Sequence, residues 1–320
     1  MKRIGVITSG GDSPGMNAAV RAVVRAAAAR DVECVGFLHG YAGIINDEAI
    51  FLNTKSVGGI ISQGGTMLHT ARSLEFREHL GRETALDNLR EREIEGLVVI
   101  GGDGSLTGAL MLHDEFQFPV MGVPGSIDND ISGTDFSIGF DTAVNCAVEA
   151  IDRVRDTAYS HDRVFVIEVM GRKNGFIAVE AGLAAGAEAI LIPEVPYSLV
   201  ELSQNLLEAA ARGKRSSILV VAEGAARAED IKNSIEKSTG FEARYLVLGH
   251  MQRGGRPTSF DRVLALRLGA FATNRLISGF SGEMAGVDGG KLVSHPLSYV
   301  LSTPRTIAPE KLLLAEVMAR

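Results

Sequence analysis

The sequence has only two cysteines, no apolar run long enough to span a membrane, and no excess of basic residues. Each shortage excludes something. Cys34 and Cys146 are too few and too far apart for a disulfide framework or a metal knuckle, and they fit a reducing compartment. The missing apolar run removes a transmembrane helix. The opening MKRIGVITSGG already reads as a strand and a turn, with no separate signal or transit segment ahead of the fold, so a cytoplasmic protein is expected. A net charge of −7 speaks against general nucleic-acid binding, which needs a basic excess to meet a phosphate backbone. Any anion site must therefore be locally basic. Internal repeats and low-complexity linkers are absent as well. So is a P-loop with its Lys-Ser/Thr ending, and a GxGxxG with a downstream ribose-binding acid is not cleanly present.

What is there is a chain of 320 residues, 46% apolar and 22% charged, enough for a globular enzyme of two domains with substantial cores. Short β-branched runs at Arg3–Thr8, Val32–Leu38, Leu97–Ile100 and Val120–Val123 suit parallel strands buried on both faces. Further runs lie at Val164–Val169, Ala189–Ile192, Ile218–Ala222 and Tyr245–Leu248. Helix-like segments alternate with them: Met16–Arg30, Glu83–Glu93, Asp141–Tyr159, Ser198–Arg212 and Ala228–Ser238. This is an α/β pattern. A boundary is placed near Gly139, with the chain returning to the first domain after His250.

Two glycine-cradled acidic segments, each directly after a strand, carry the chemistry. In GGDGS, Gly101, Gly102 and Gly104 let backbone amides approach a phosphate chain that a Cβ would push away, and Asp103 sits among them. A carboxylate facing phosphate oxygens needs a cation between them, which implies Mg²⁺. In PGSIDND, Asp128 and Asp130 are two apart, share one side of an extended segment and can divide the work of base and metal support. Taken singly, GGDGS also fits a strand-to-helix turn with Ser105 as N-cap, and IDND also fits a solvated turn. Two such loops within thirty residues sit where open α/β sheets place ligands. The first turn, TSGGDSPGMNAA from Thr8 to Ala19, opens a helix and makes a further anion-binding corner, although Gly10 and Gly11 also fit a purely structural turn.

These three segments, together with GTDFSIGFDTA (133–143), VMGRKNG (169–175) and GHMQRGG (249–255), resemble the bacterial ATP-dependent 6-phosphofructokinases, in order from residue 2 to about residue 290. The resemblance implies two similar doubly wound parallel-sheet domains with the active site in the cleft between them: 1–139 and 251–304 for nucleotide, 140–250 and 305–320 for sugar phosphate. It implies phosphorylation of fructose 6-phosphate to fructose 1,6-bisphosphate in glycolysis, with Mg-ATP as donor. Asp128 is then the base for the C1 hydroxyl, Asp130 assists the metal site and Asp103 holds Mg²⁺. Gly11 and the Gly102 to Ser105 amides line the nucleotide phosphates, with Ser73 near the base. Arg72, in HTARS, meets charge developing on the transferred group. Ser126 stands where a Thr is common and keeps the hydroxyl.

The same resemblance assigns Arg163, Arg244, His250 and Arg253 to the 6-phosphate and Glu223 to sugar hydroxyls. Met170, Gly171 and Arg172 complete the wall, Arg172 also counting with the catalytic group. Taken singly, His250 also fits a satisfied loop histidine, and Arg163 and Arg244 fit solvated positions before a strand. In the relatives those two arginines reach into a neighbouring subunit's site, so a homotetramer with shared sites is implied. ATP is favoured over pyrophosphate because Gly104 and Gly125 stand where pyrophosphate-dependent relatives carry Asp and Lys. Arg21 and Arg25, one helical turn apart, match an effector pocket with Arg155, Glu188, Arg212 and Lys214. Thr54 and Gly59 depart from that pocket, so allosteric control by ADP or phosphoenolpyruvate is expected to be weak. Other readings are a NAD or lipid kinase sharing only the GGDG loop, and a noncatalytic effector-binding protein that kept the fold.

Overall fold

The computed structural model describes residues 1–318. They form two compact units, Met1–Thr142 with Arg253–Arg305, and Ala143–Gln252 with the segment from Thr306 onward. The last two residues of the expected 305–320 segment lie outside the described residues.

The strands, in chain order, are β1 (Arg3–Ser9), β2 (Glu33–Phe37), β3 (Ala49–Leu52), β4 (Leu97–Gly101), β5 (Val120–Pro124) and β6 (Val164–Val169). They continue with β7 (Ala189–Leu191), β8 (Ser217–Ala222), β9 (Ala243–Val247), β10 (Glu283–Asp288) and β11 (Lys291–Pro296). The helices are α1 (Met16–Ala28), α2 (Tyr41–Ile45), α3 (His79–Glu91), α4 (Asp103–Phe116), α5 (Phe140–His161) and α6 (Phe176–Ala184). After them come α7 (Leu199–Ala211), α8 (Ala228–Thr239), α9 (Ser259–Ile277), α10 (Leu297–Ser302) and α11 (Pro309–Met318). All eight expected strands and all five expected helices are present, with ends shifted by up to four residues, as for the third helix, which starts at His79.

The first unit carries a seven-stranded sheet in the order β11-β10-β5-β4-β1-β2-β3. Its centre is parallel, while β2 with β3 and β10 with β11 are antiparallel, so the sheet is mixed at both edges. Alternate side chains of the buried strands enter opposite cores. Ile4, Val6, Val98 and Ile100 join a core with α1 and α9, whereas Ile7, Leu97 and Val99 join one with α2, α3, α4 and α10. Burial on both faces explains the continuous apolar runs of the sequence, each fully buried Val, Leu or Ile contributing about 1.5–3 kcal/mol. Helices α1 and α9 pack so closely that a Cβ on Gly269 would lie 2.8 Å from the Ala19 carbonyl oxygen and 2.9 Å from the Ala22 Cβ.

Helix starts in this unit are cross-capped. The buried Asp261 of α9 accepts from the Gly139 amide at 2.9 Å and from the Thr142 amide at 2.8 Å, both at the start of α5. Thr258 in turn accepts from the Asp261 amide at 3.2 Å and donates to Asp141 at 2.5 Å. Burial pushes the Asp261 carboxyl up to about 6 even though these donors favour its charged form.

The second unit carries a four-stranded parallel sheet, β7-β8-β6-β9. One face packs Val164, Val166, Leu219 and Val221 against Leu202 and Leu206 of α7 and Ile231 and Ile235 of α8. Among the described residues no helix is long and apolar enough to cross a membrane.

Candidate active site

In the first unit β1 lies between β2 and β4, and the chain leaves β1 towards one side and returns to the other. That makes the β1–β4 junction a topological switch point, where the loops at the strand ends diverge and leave a crevice. The turn after β1 and the GGDGS loop after β4 both open there. Gly10 has φ +85°, and a Cβ on Gly101 would lie 2.5 Å from the Ser9 carbonyl oxygen, so the two turns approach by backbone contact. Gly102 is the N-cap of α4 and Asp103 is in its first turn, where the helix dipole favours a negative charge. Ser105 is therefore inside the helix, not its N-cap, and its buried Oγ has no hydrogen-bond partner among the described residues.

The third loop follows β5. Ser126 Oγ accepts from the Asp128 backbone amide at 3.2 Å and donates to the Asp130 carboxylate at 3.3 Å, and both aspartates line the same cavity. The intervening Asn129 has φ +53° and its buried side chain accepts from the Ser137 amide at 2.8 Å. Ser137 Oγ donates to the Ser126 carbonyl at 2.6 Å, closing the loop on its own returning segment.

The segment carrying Arg72 and Ser73 is fixed from the first turn. Buried Thr8 Oγ1 donates to the His69 carbonyl at 2.8 Å, and Asn17 accepts from the Met67 amide at 2.7 Å while donating to the Gln63 and Gly64 carbonyls. Thr70 donates to the Gly10 carbonyl at 2.7 Å.

These loops line one cavity of about 610 Å³ in the first unit. It gathers Gly11, Arg72, Ser73, Gly102, Asp103, Gly104, Ser105, Ser126, Asp128, Asp130 and Arg253. Arg253 belongs to the first unit, where its Nη1 donates to the Asp12 carbonyl at 3.3 Å and would lie 2.8 Å from a Cβ on Gly11. The cavity also has an aromatic wall that sequence reasoning missed. Tyr41 stacks on Phe76 with centroids 4.0 Å apart and donates to the Ser105 carbonyl at 2.5 Å, with Arg77, Gly108 and Met111 alongside. A Cβ on Gly108 would lie 2.8 Å from the Tyr41 ring. These residues come from separate elements and share no motif.

The donor set suits a hard cation shared with phosphate. No group of three or more His, Cys, Asp or Glu stands together among the described residues, but Asp103, Asp128 and Asp130 face one cavity with glycine-lined walls. Mg²⁺ is commonly held by one or two carboxylates together with substrate phosphates and water, and the residues present fit that arrangement.

The expected sugar-phosphate residues of the second unit fall into two places. Met170, Gly171 and Arg172 follow β6, Glu223 follows β8 and His250 follows β9, so these five sit at the carboxyl ends of parallel strands. Gly171 has φ +136°, and a Cβ there would lie 2.4 Å from the Asn174 carbonyl oxygen. The Met170 amide donates to buried Gln252 at 2.8 Å. Arg163 precedes β6, and Arg244 is the second residue of β9, paired with Phe165. At about 3.3 Å per residue, the six-residue strand β6 puts them some 20 Å from the other five. Both contact Glu242, Arg163 at 2.9 Å. The hydrogen bond from Arg163 and the charges around it hold the Glu242 carboxyl below the usual glutamate range. Glu242 is another residue that sequence reasoning missed.

The expected effector residues divide between the units. Arg21 and Arg25 are on α1. In the second unit Glu188, Arg212 and Lys214 line a cavity of about 1090 Å³ with apolar walls from β7, α7 and α11. Lys214 pairs with Glu188 at 2.6 Å, Arg212 is 3.8 Å from Glu208, and Arg155 donates to the Ala185 and Gly186 carbonyls. Gly59 has φ +75°, in the left-handed region that favours glycine.

Residues 3–276 match the family described as Phosphofructokinase. The chain is 54% identical over 319 residues to the ATP-dependent 6-phosphofructokinase of Bacillus velezensis, covering all of both chains. It is 56% identical over 307 residues to the ATP-dependent 6-phosphofructokinase of Bacillus subtilis, covering 96% of each. Among solved structures, the phosphofructokinase from Saccharomyces cerevisiae matches it with a TM-score of 0.89 at 37% identity; all of this chain is covered, and it spans 48% of the yeast chain. With the three loops, the aspartate pair and the parallel sheets already in place, these matches make the chain a member of the phosphofructokinase family.

Proposed function

We propose that this protein transfers the γ-phosphoryl group of ATP to the C1 hydroxyl of fructose 6-phosphate, giving fructose 1,6-bisphosphate and ADP, as a cytoplasmic enzyme of glycolysis. The observation that carries the reading is the convergence of three glycine loops, Asp103, Asp128 and Arg72 on one cavity. Gly11 and the amides of 102–105 bind the phosphate chain at a helix N-terminus, and Tyr41, Phe76 and Met111 supply the apolar surface for the base. Asp128 takes the C1 hydroxyl proton as the oxygen attacks, and Ser126 holds Asp128 and Asp130 in register. Arg72 faces the charge that grows on the transferred group, where a fixed guanidinium acts more strongly than in water. Asp103 holds Mg²⁺, which neutralises phosphate charge when bound.

Two further features belong to the same reading. A Cβ at Gly104 would meet nothing within 4 Å, so the cavity has room for the nucleotide at the position where a pyrophosphate enzyme would place a carboxylate. The separation of Arg163 and Arg244 from the sugar-binding strand ends supports a site completed by a second subunit, within a homotetramer. Phosphorylated effectors act weakly through Arg21, Arg25, Arg155, Glu188, Arg212 and Lys214.

The test is a coupled assay with fructose 6-phosphate, comparing ATP with pyrophosphate. ATP is expected to give the far higher kcat/KM; a preference for pyrophosphate would overturn the donor assignment, and inertness with both would overturn the reading.

A further inference from the structure

Asn129 stands between the two site aspartates, and a residue from the far end of the first unit holds it. Arg305 Nη1 donates to Asn129 Oδ1 at 3.1 Å and to the Ile131 carbonyl at 3.4 Å, while Nη2 donates to the Asp135 carbonyl at 2.5 Å. Asn129 Nδ2 donates to that same Asp135 carbonyl at 3.3 Å, so the guanidinium and the amide close a small network under the loop. One residue pair away, buried Ser132 donates to the Thr303 carbonyl at 2.6 Å, tying the same two segments together. Asn129 adopts a left-handed backbone, which a non-glycine residue keeps only where its surroundings fix it. Its side chain is held by Ser137 and the Asp135 carbonyl from the returning segment and by Arg305 from the C-terminal segment. Arg305 lies outside residues 3–276, and no motif in the sequence marks it.

We propose that Arg305 is a positioning residue for the phosphoryl-transfer site: by clamping Asn129 to the Asp135 carbonyl it fixes the direction of Asp128 and Asp130. The chemistry of the group suits the task. A guanidinium is planar and presents donors in a fixed fork, so a single side chain can hold an amide oxygen and a carbonyl oxygen from two points of one loop. Burial pulls the Arg305 guanidinium below its ordinary range, and the negative charges of Asp135 and Asp130 oppose that shift. The group thus sits in a partly dry pocket, where its hydrogen bonds have little competition from water. Lysine would keep the charge but cannot span both acceptors in the same geometry.

The inference rests on Asp128 being the base, and the experiment separates the two. Arg305→Ala and Arg305→Lys are assayed with ATP and fructose 6-phosphate, with kcat normalised to folded protein. Misplacing a base lowers kcat by about 10- to 100-fold while leaving KM for both substrates within about twofold, because the lost alignment matters only as the proton moves. Arg305→Lys is expected to recover only part of the loss, and it serves alone if the alanine variant does not fold.

A double-mutant cycle with Asn129→Gly, which tolerates the left-handed backbone, tells positioning from general stability. If Arg305 acts through Asn129, the double variant is no worse than the poorer single one; losses that multiply in full would overturn the inference. Unchanged kcat in both Arg305 variants, beside an inactive Asp128→Ala, would overturn the inference and leave the base assignment standing. An Asp128→Ala variant with more than a tenth of normal activity would remove the base assignment and this inference with it.

Discussion

The cavity of the first unit and the amino-terminal edge of the second unit's sheet both display arginines, but they hold them by different means. Arg253 rests on the Asp12 carbonyl, and the loop carrying Arg72 is fixed by hydrogen bonds between its backbone and the side chains of Thr8 and Asn17. Arg163 and Arg244 instead share the carboxylate of Glu242. A cation held by carbonyl dipoles keeps its full charge for a ligand, whereas one held by a carboxylate must change partner first. On the proposed reading, the first arrangement serves chemistry at a fixed point and the second serves binding that responds to what approaches.

The largest effect expected from this contrast lies in the first region. Asp128→Ala should lower kcat by about 10²- to 10⁴-fold, the range for loss of a general base, with fructose 6-phosphate affinity nearly unchanged in equilibrium binding. A variant keeping a tenth of the activity would take Asp128 out of that role. Next comes Arg244→Ala, which should raise the KM for fructose 6-phosphate by about tenfold and that for ATP little, as expected for one charge-assisted hydrogen bond. Mixing this chain with Asp128→Ala should restore activity, since hybrid assemblies contain sites with both groups intact. Proven hybrids without recovered activity would mean that the site is not shared.

A smaller effect tests the exchange of partners itself. Glu242→Gln removes the competing charge and should lower the KM for fructose 6-phosphate by about two- to fivefold, the size of an exposed ion pair. A raised KM would show that Glu242 holds the arginines in their binding geometry instead of competing for them. The smallest effect belongs to the expected effector residues, divided between the units, where Lys214 and Arg212 already face Glu188 and Glu208. Titrating ADP and phosphoenolpyruvate at subsaturating fructose 6-phosphate should change activity by less than about fivefold, and Arg25→Ala should reduce even that. Strong control that survives Arg25→Ala would place the effector elsewhere.

Much of this was legible in the sequence because the central strands are buried on both faces. Leu97–Ile100 and Val120–Val123 cannot alternate with polar residues, so they stand out as apolar runs, and the glycine loops follow them directly. Helix α9 was not legible for the opposite reason. Its exposed side carries Phe260 and Val263 while its buried side mixes Leu264, Leu268 and Leu276 with Ala265, Gly269 and Ala272, so no one-sided apolar stripe stands out. The β10–β11 hairpin did carry a signal, Gly289-Gly290 with both φ positive, which suits a tight two-residue turn. The aromatic wall, Glu242 and Arg305 had none. Each acts through a contact between segments far apart in the chain, and only the fold brings such partners together.

The cross-capping of α5 and α9 bears on how the chain reaches its native state. Thr142 and Asp261 are 119 residues apart, with the second unit threaded between them. Closing a flexible loop of that length costs about 4 kcal/mol in chain entropy before either helix start is satisfied. On a ribosome the segment 143–252 emerges before α9 does, so the four-stranded sheet of the second unit can form while the first still lacks its last helices and strands; α11, the second unit's last piece, emerges later still. Synthesis therefore interleaves the two units: the first waits on a carboxylate made after most of its neighbour, and the second on a closing helix made after both.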